Sequence, residues 1–202
     1  ERRAQQVKIR ATQTVPSVRD FASFPFGVTT AVEAWADKDG GVVLDNLLLD
    51  AFGKVKGELT NLQLIIAGEF YEDEEKYRKQ ILDKGLTSRV ILKNEFIADA
   101  DLRKYFGAAD LIVQPYKTAT QSGVTQVAFH FEKPCLVTNV GGLGEIIHHG
   151  KMGYAVEPRV EAIAASLLDY YQNDRQEAFT RYLIKEKELY GWNIMAQAFY
   201  RI

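Results

Sequence analysis

A single cysteine, Cys135, leaves this 202-residue chain without any internal disulfide. It stands in the apolar run Pro134-Cys135-Leu136-Val137, a setting for a buried, inert thiol rather than a nucleophile. Such sparing use of cysteine fits a reducing, cytoplasmic compartment. No apolar stretch approaches the ~20 residues that a membrane-spanning helix needs, so no integral membrane segment is expected. The start, Glu1-Arg2-Arg3-Ala4-Gln5-Gln6, has no apolar core behind its charges and does not read as a signal peptide. Lacking methionine, it reads as a trimmed or excised end. Neither sign of charge prevails, because 25 Lys+Arg against 27 Asp+Glu leave a net charge of −2. A global basic field for nucleic acid or an anionic membrane is therefore absent. The histidines His130, His148 and His149 have no cysteine partner and no zinc-like spacing, so no metal site is expected. His148 and His149 read as an exposed turn.

What is present is ordinary globular material, 47% hydrophobic and 26% charged, enough for one ample domain. From about residue 45 onward, helical patterns alternate with short apolar runs. Residues 46–55 have helical spacing, with Leu47, Leu48, Ala51, Phe52 and Val55 on one face. Residues 62–68 read as a buried strand ending in glycine, and residues 73–84 as a charged helix closed by Gly85. Glu72, Asp73, Glu74 and Glu75 would complement that helix's dipole. Val90-Ile91-Leu92, Leu111-Ile112-Val113 and Cys135-Leu136-Val137-Thr138 are further strands, and Tyr154-Ala155-Val156 a short edge strand. Helices are expected over 99–108, from Ser122 or Gly123, and over 160–172, 175–190 and 194–202. The aromatics Tyr170, Tyr171, Phe179, Tyr182 and Tyr190 fit core and inter-helix packing.

Strands so apolar, and so regularly separated by helices, predict a Rossmann-like α/β sandwich of three layers with a mostly parallel sheet. Residues 1–44 form an N-terminal segment of less certain pattern, assigned to the same domain as residues 45–202. In it, residues 7–12 alternate like a strand, 21–26 are aromatic and irregular, 28–35 fit either strand or helix, and 37–41 form a turn.

In such sheets ligands bind beyond the carboxyl ends of the strands. The loop 115–126 joins a buried strand to a helix, is rich in small hydroxyl residues, and carries Gly123. Free backbone N–H groups and the helix dipole at its end make an anion site that suits a pyrophosphate. The plainer alternative is that Thr120 or Ser122 merely caps the helix. A second loop, Asn139-Val140-Gly141-Gly142-Leu143-Gly144, also follows a buried strand, with Glu145 as ligand or as helix-start charge.

Both loops resemble one family pattern. The segment Glu132-Lys133-Pro134-Cys135-Leu136-Val137 resembles the Gly-Lys-Pro-Val-Val strand of group 1 (GT4-like) glycosyltransferases of the GT-B fold. Gly141-Gly142-Leu143-Gly144-Glu145-Ile146-Ile147 resembles their Gly-Gly-x-Pro-Glu-Ile-Val, and Gly150-Lys151-Met152-Gly153 their following turn. Upstream, Leu47-Leu48-Leu49-Asp50-Ala51-Phe52, Leu64-Ile65-Ile66-Ala67-Gly68, and Ala108-Ala109-Asp110-Leu111-Ile112-Val113-Gln114-Pro115 fall in the family's order. Gly191-Trp192-Asn193 matches the start of its closing helix.

The resemblance implies the C-terminal, donor-binding domain of a retaining glycosyltransferase. Such an enzyme moves a sugar from a nucleotide diphosphate sugar to a glycan or lipid-linked acceptor, without a resident cofactor or metal. A separate N-terminal acceptor domain would be its partner, and the full-length enzyme would be cytoplasmic or peripheral to a membrane. The diphosphate and sugar would meet Thr120, Gln121, Ser122, Gly123, Val124 and Thr125, with Lys38 in the place of the family's arginine. The nucleotide would lie against Lys93, Asn94, Phe96 and Ile97, with Gln126 nearby. No glutamate stands where the family has its pair flanking the glycine loop, because those places fall on Thr120 and on Ala128 or Val127. Gln121 and Gln126 are neutral neighbours able to bond sugar hydroxyls.

Two other functions compete. A non-catalytic nucleotide-binding or interaction domain on the same scaffold would explain the absent glutamates. An unrelated dehydrogenase or epimerase would need a Gly-x-Gly-x-x-Gly after the first strand, and Gly141-Gly142-Leu143-Gly144 is not that pattern.

Overall fold

The computed structural model describes residues 28–32, 46–68, 70, 73–117, 119 and 122–189. The strand, turn and closing helix expected at 7–12, 37–41 and 194–202 lie outside the described residues. Six strands form one sheet: β1 (Val28–Val32), β2 (Gln63–Ala67), β3 (Val90–Lys93), β4 (Leu111–Gln114), β5 (Cys135–Thr138) and β6 (Gly153–Val156). Their spatial order is β3-β2-β1-β4-β5-β6, and every pairing is parallel. This is the doubly wound order of a Rossmann-like sheet. The ambiguous stretch 28–35 resolves as a strand over Val28–Val32, and it is a central one.

The helices are α1 (Asn46–Val55), α2 (Glu74–Asp83), α3 (Asp99–Ala108), α4 (Gly123–His130), α5 (Leu143–Ile146), α6 (Val160–Gln172) and α7 (Gln176–Leu189). Because side chains alternate across a strand, each strand feeds both faces of the sheet. Leu64, Ile66, Leu111, Val113 and Leu136 point to one side, where Leu48 and Phe52 of α1, Tyr77 and Ile81 of α2, Ile163 and Leu167 of α6 and Phe179 of α7 cover them. Ile112, Cys135 and Val137 point to the other, against Phe106 of α3, Val124 and Ala128 of α4 and Leu143 of α5. Ile65 and Ala67 join them there, with Tyr105 and Ile97. The sandwich therefore has three layers.

Local signals set the ends of the elements. The Asp73 carboxylate accepts the Glu75 N–H at 3.0 Å and starts α2. Past Lys84 the chain turns through Gly85 at φ +62°, a conformation that glycine adopts without strain. Cys135 is fully buried, and burial pushes its thiol pKa up, away from nucleophilic chemistry. His148 and His149 are exposed, in the turn that leads into β6.

Candidate functional site

The sheet's winding reverses between β1 and β4, so the crevice to inspect lies beyond the carboxyl ends of those two strands. One wall is the β4–α4 connection. Of it, Pro115, Tyr116, Lys117, Ala119 and Ser122 are described, whereas Thr118, Thr120 and Gln121 lie outside the described residues, as does Lys38. Ser122 is the N-cap of α4, and its hydroxyl accepts the Val124 N–H at 3.2 Å. The capping role is thus real, and it uses one of the amides expected to face a phosphate. The Gly123 amide stands at the exposed first residue of the helix, whereas Thr125 is fully buried.

Beneath this connection is a concentration of buried polar groups. Of the six buried polar residues among the described ones, Gln114, Ser122, Thr125 and Thr138 gather here. Burying such groups costs about 1–3 kcal/mol each unless they are hydrogen-bonded, so their partners matter. The Gln114 amide donates to the Thr125 hydroxyl at 3.0 Å, and that hydroxyl lies 3.1 Å from the amide oxygen, to which it can donate in turn. The Thr138 hydroxyl donates to the Tyr116 carbonyl at 2.5 Å, tying the loop after β4 to the end of β5. Sequence reasoning passed over Gln114 and Thr138. The available signal was an amide and a hydroxyl closing two otherwise apolar strands.

The second loop is shaped by its glycines. Gly141 has φ +52°, and a Cβ on Gly144 would stand 1.9 Å from the Asn139 side-chain oxygen. The loop then forms the short α5, with Glu145 exposed in its first turn, which agrees with the helix-charge reading.

The expected nucleotide contacts fall beyond β3, three strands away from β4, or about 14 Å at the usual strand spacing. Asn94 accepts the Phe70 N–H at 2.8 Å and donates to Glu74 at 2.9 Å, so its side chain joins this loop to the start of α2. Ile97 is buried in the core, leaving only backbone there for a ligand. Lys93 and Phe96 are half-buried at the strand end. Gln126 does not join this group. It sits one turn inside α4, on a cavity of about 640 Å³ that runs along the helix flank with Phe129, His130, His148 and Leu183. Glu145 and Ile146 of α5 also line that cavity. Thr125 is fully buried and Val124 nearly so, whereas Gly123 is exposed. Among the described residues no group of three His, Cys, Asp or Glu is placed to hold a metal. No described helix is long and apolar enough to cross a membrane.

The profile of a family described as glycosyl transferases group 1 matches residues 45–173. No curated protein matches the chain by sequence. Solved structures share its fold. HepE of Anabaena, crystallised with UDP and glucose, superposes with a TM-score of 0.65 at 18% identity, over 82% of this chain and 45% of HepE. The C-terminal domain of LpcC, a glycosyl transferase group 1 family protein from Francisella tularensis, gives 0.68 at 15% identity, over 82% of this chain and 85% of that domain. TarM of S. aureus, in complex with fondaparinux, alpha-GlcNAc-glycerol and UDP, gives 0.69 at 18% identity, over 96% of this chain and 37% of TarM. The chain thus spans less than half the length of HepE.

Proposed function

Since the chain belongs to the group 1 glycosyltransferases, we propose that it is the donor-binding half of a retaining enzyme that uses a nucleotide diphosphate sugar. The observation that carries this reading is the start of α4. It lies at the carboxyl edge of β4, where the winding reverses, and its first residue, Gly123, is exposed there. Amides at a helix start, reinforced by the helix dipole, stabilise a leaving diphosphate as its bond to the sugar breaks. HepE has been crystallised with UDP-glucose, which supports a donor of the same chemistry here. Lys38, Thr120 and Gln121 would complete the diphosphate and sugar contacts. Backbone groups of Lys93, Asn94, Phe96 and Ile97 would meet the base. The acceptor, a glycan or lipid-linked sugar, would be held by a separate N-terminal domain. Transfer needs donor and acceptor fixed in attack geometry, so this half alone binds donor and turns nothing over.

Titration calorimetry with uridine and guanosine diphosphates and their sugars tests the reading. Binding of at least one is expected. No heat with any of them, from chain shown to be folded, overturns it.

A second reading, a non-catalytic nucleotide-binding or interaction domain, is favoured by one observation. The family's second glutamate place falls on Ala128, which is fully buried in the core between α4 and the sheet, or on Val127, which is partly buried against it. Thr120→Glu in the complete enzyme separates the two. A gain in sugar transfer supports a weakened catalyst, and unchanged absence of transfer supports the interaction domain.

A further inference from the structure

We propose that Gln114 is a positioning residue for the donor diphosphate, acting through the Thr125 hydroxyl to hold the first turn of α4 against the end of β4. This rests on the donor-binding reading above. Gln114 has 0% exposure and ends a strand whose other members are Leu111, Ile112 and Val113. Thr125 also has 0% exposure, and its hydroxyl sits 3.0 Å from the nitrogen and 3.1 Å from the oxygen of the same amide.

Stability alone gives little reason for this pair. Replacing both partners of a buried hydrogen bond by apolar groups of the same shape is often neutral or favourable, whereas removing one strands the other. A methionine at 114 and a valine at 125 would fill the same space. What the apolar pair could not do is fix a distance. Dispersion is non-directional and tolerates sliding, whereas a hydroxyl held between both ends of an amide sets where the helix starts relative to the strand. Packing alone holds this turn through Val124 and Ala128, whose contacts are non-directional, while the first residue, Gly123, is exposed and has no side chain to pack. A second buried bond, from Thr138 to the Tyr116 carbonyl, anchors the loop from the β5 side. Gln114 and Thr138 thus clamp the two ends of one connection, at the place where a small misplacement costs a preorganised site most.

The test compares wild type with Gln114→Met, Thr125→Val, the Gln114→Met/Thr125→Val double variant and Thr125→Ser. Each is titrated with UDP and GDP by calorimetry, and its thermal midpoint is recorded. The expected result is a dissociation constant at least 10-fold weaker in the double variant, with a midpoint within a few degrees of wild type, and recovery of affinity in Thr125→Ser, which keeps the hydroxyl. The single variants separate stability from positioning, because they lose both affinity and midpoint. Wild-type binding with equal affinity in the double variant overturns the positioning role and leaves the donor-binding reading standing. A folded wild type that binds neither nucleotide removes that reading, and the positioning role with it.

Discussion

At the scale of single residues, backbone crowding makes the sharpest claims. Gly153 opens β6 opposite Cys135, and a Cβ on it would stand 2.1 Å from the Cys135 carbonyl oxygen and 3.1 Å from the Cys135 nitrogen. Those are main-chain atoms of a fully buried strand, so they cannot swing aside as the end of a flexible side chain would. Gly153→Ala must therefore push β6 from β5. Overpacking of this kind costs about 1–3 kcal/mol. Urea unfolding should show a lower midpoint at unchanged slope, and a loss below about 0.5 kcal/mol would contradict the crowding. Some residue-level features were legible beforehand. Cys135 inside an apolar run, Asp73 before a charged helix and Gly85 after it each carry their reason in the local sequence. The Gln114–Thr125 pair was not legible, because its meaning depends on two residues eleven apart meeting under a loop. The Asn94 and Ile97 side-chain contacts were illegible for the same reason, since one side chain spans two loops and the other is core.

At the scale of elements, the end of α6 is held by charge. Asp169 accepts from the Tyr154 hydroxyl of β6 at 2.5 Å, from Asn173 at 2.8 Å and from Arg175, just before α7, at 3.0 and 3.2 Å. The Arg175 guanidinium first, and then the Tyr154 hydroxyl, hold the Asp169 carboxyl down at about 2, against an ordinary 3.8. A depressed carboxyl contributes stability that is fully present above the unfolded pKa, near pH 4, and is lost as pH falls through about 2. Stability should fall across that window in wild type. Asp169→Asn should flatten this fall and lower stability at neutral pH by no more than about 1 kcal/mol, because the carboxylate is about one-third exposed and partly screened. Acid titration of the unfolding midpoint checks it, and an unchanged slope in the variant would contradict it. Of the elements themselves, the strands with apolar runs and the helices with periodic faces were readable. Val28–Val32 was ambiguous because two threonines interrupt its apolar character, and Leu143 and Gly144 of α5 were read as loop because four residues are too few to show a helical period.

At the scale of the molecule, the parallel three-layer sandwich followed from alternation and burial pattern, but the strand order did not. Nothing local in the sequence says that β1 inserts between β2 and β4, and that insertion sets the point where the winding reverses. It also sets β3 and β4, the strands that lead to the two candidate regions, three spacings apart, about 14 Å at the usual strand spacing. The large cavity along α4, with Gln126 and His130, lies on the flank and offers an alternative address for anything that binds. Backbone amide chemical shifts followed during titration with UDP decide between the two. Perturbations at Gly123 and Thr125, together with some between Lys93 and Ile97, are the predicted result. Shifts confined to Gln126, His130 and Leu183 along the flank, or no shifts at saturating nucleotide, would contradict the account.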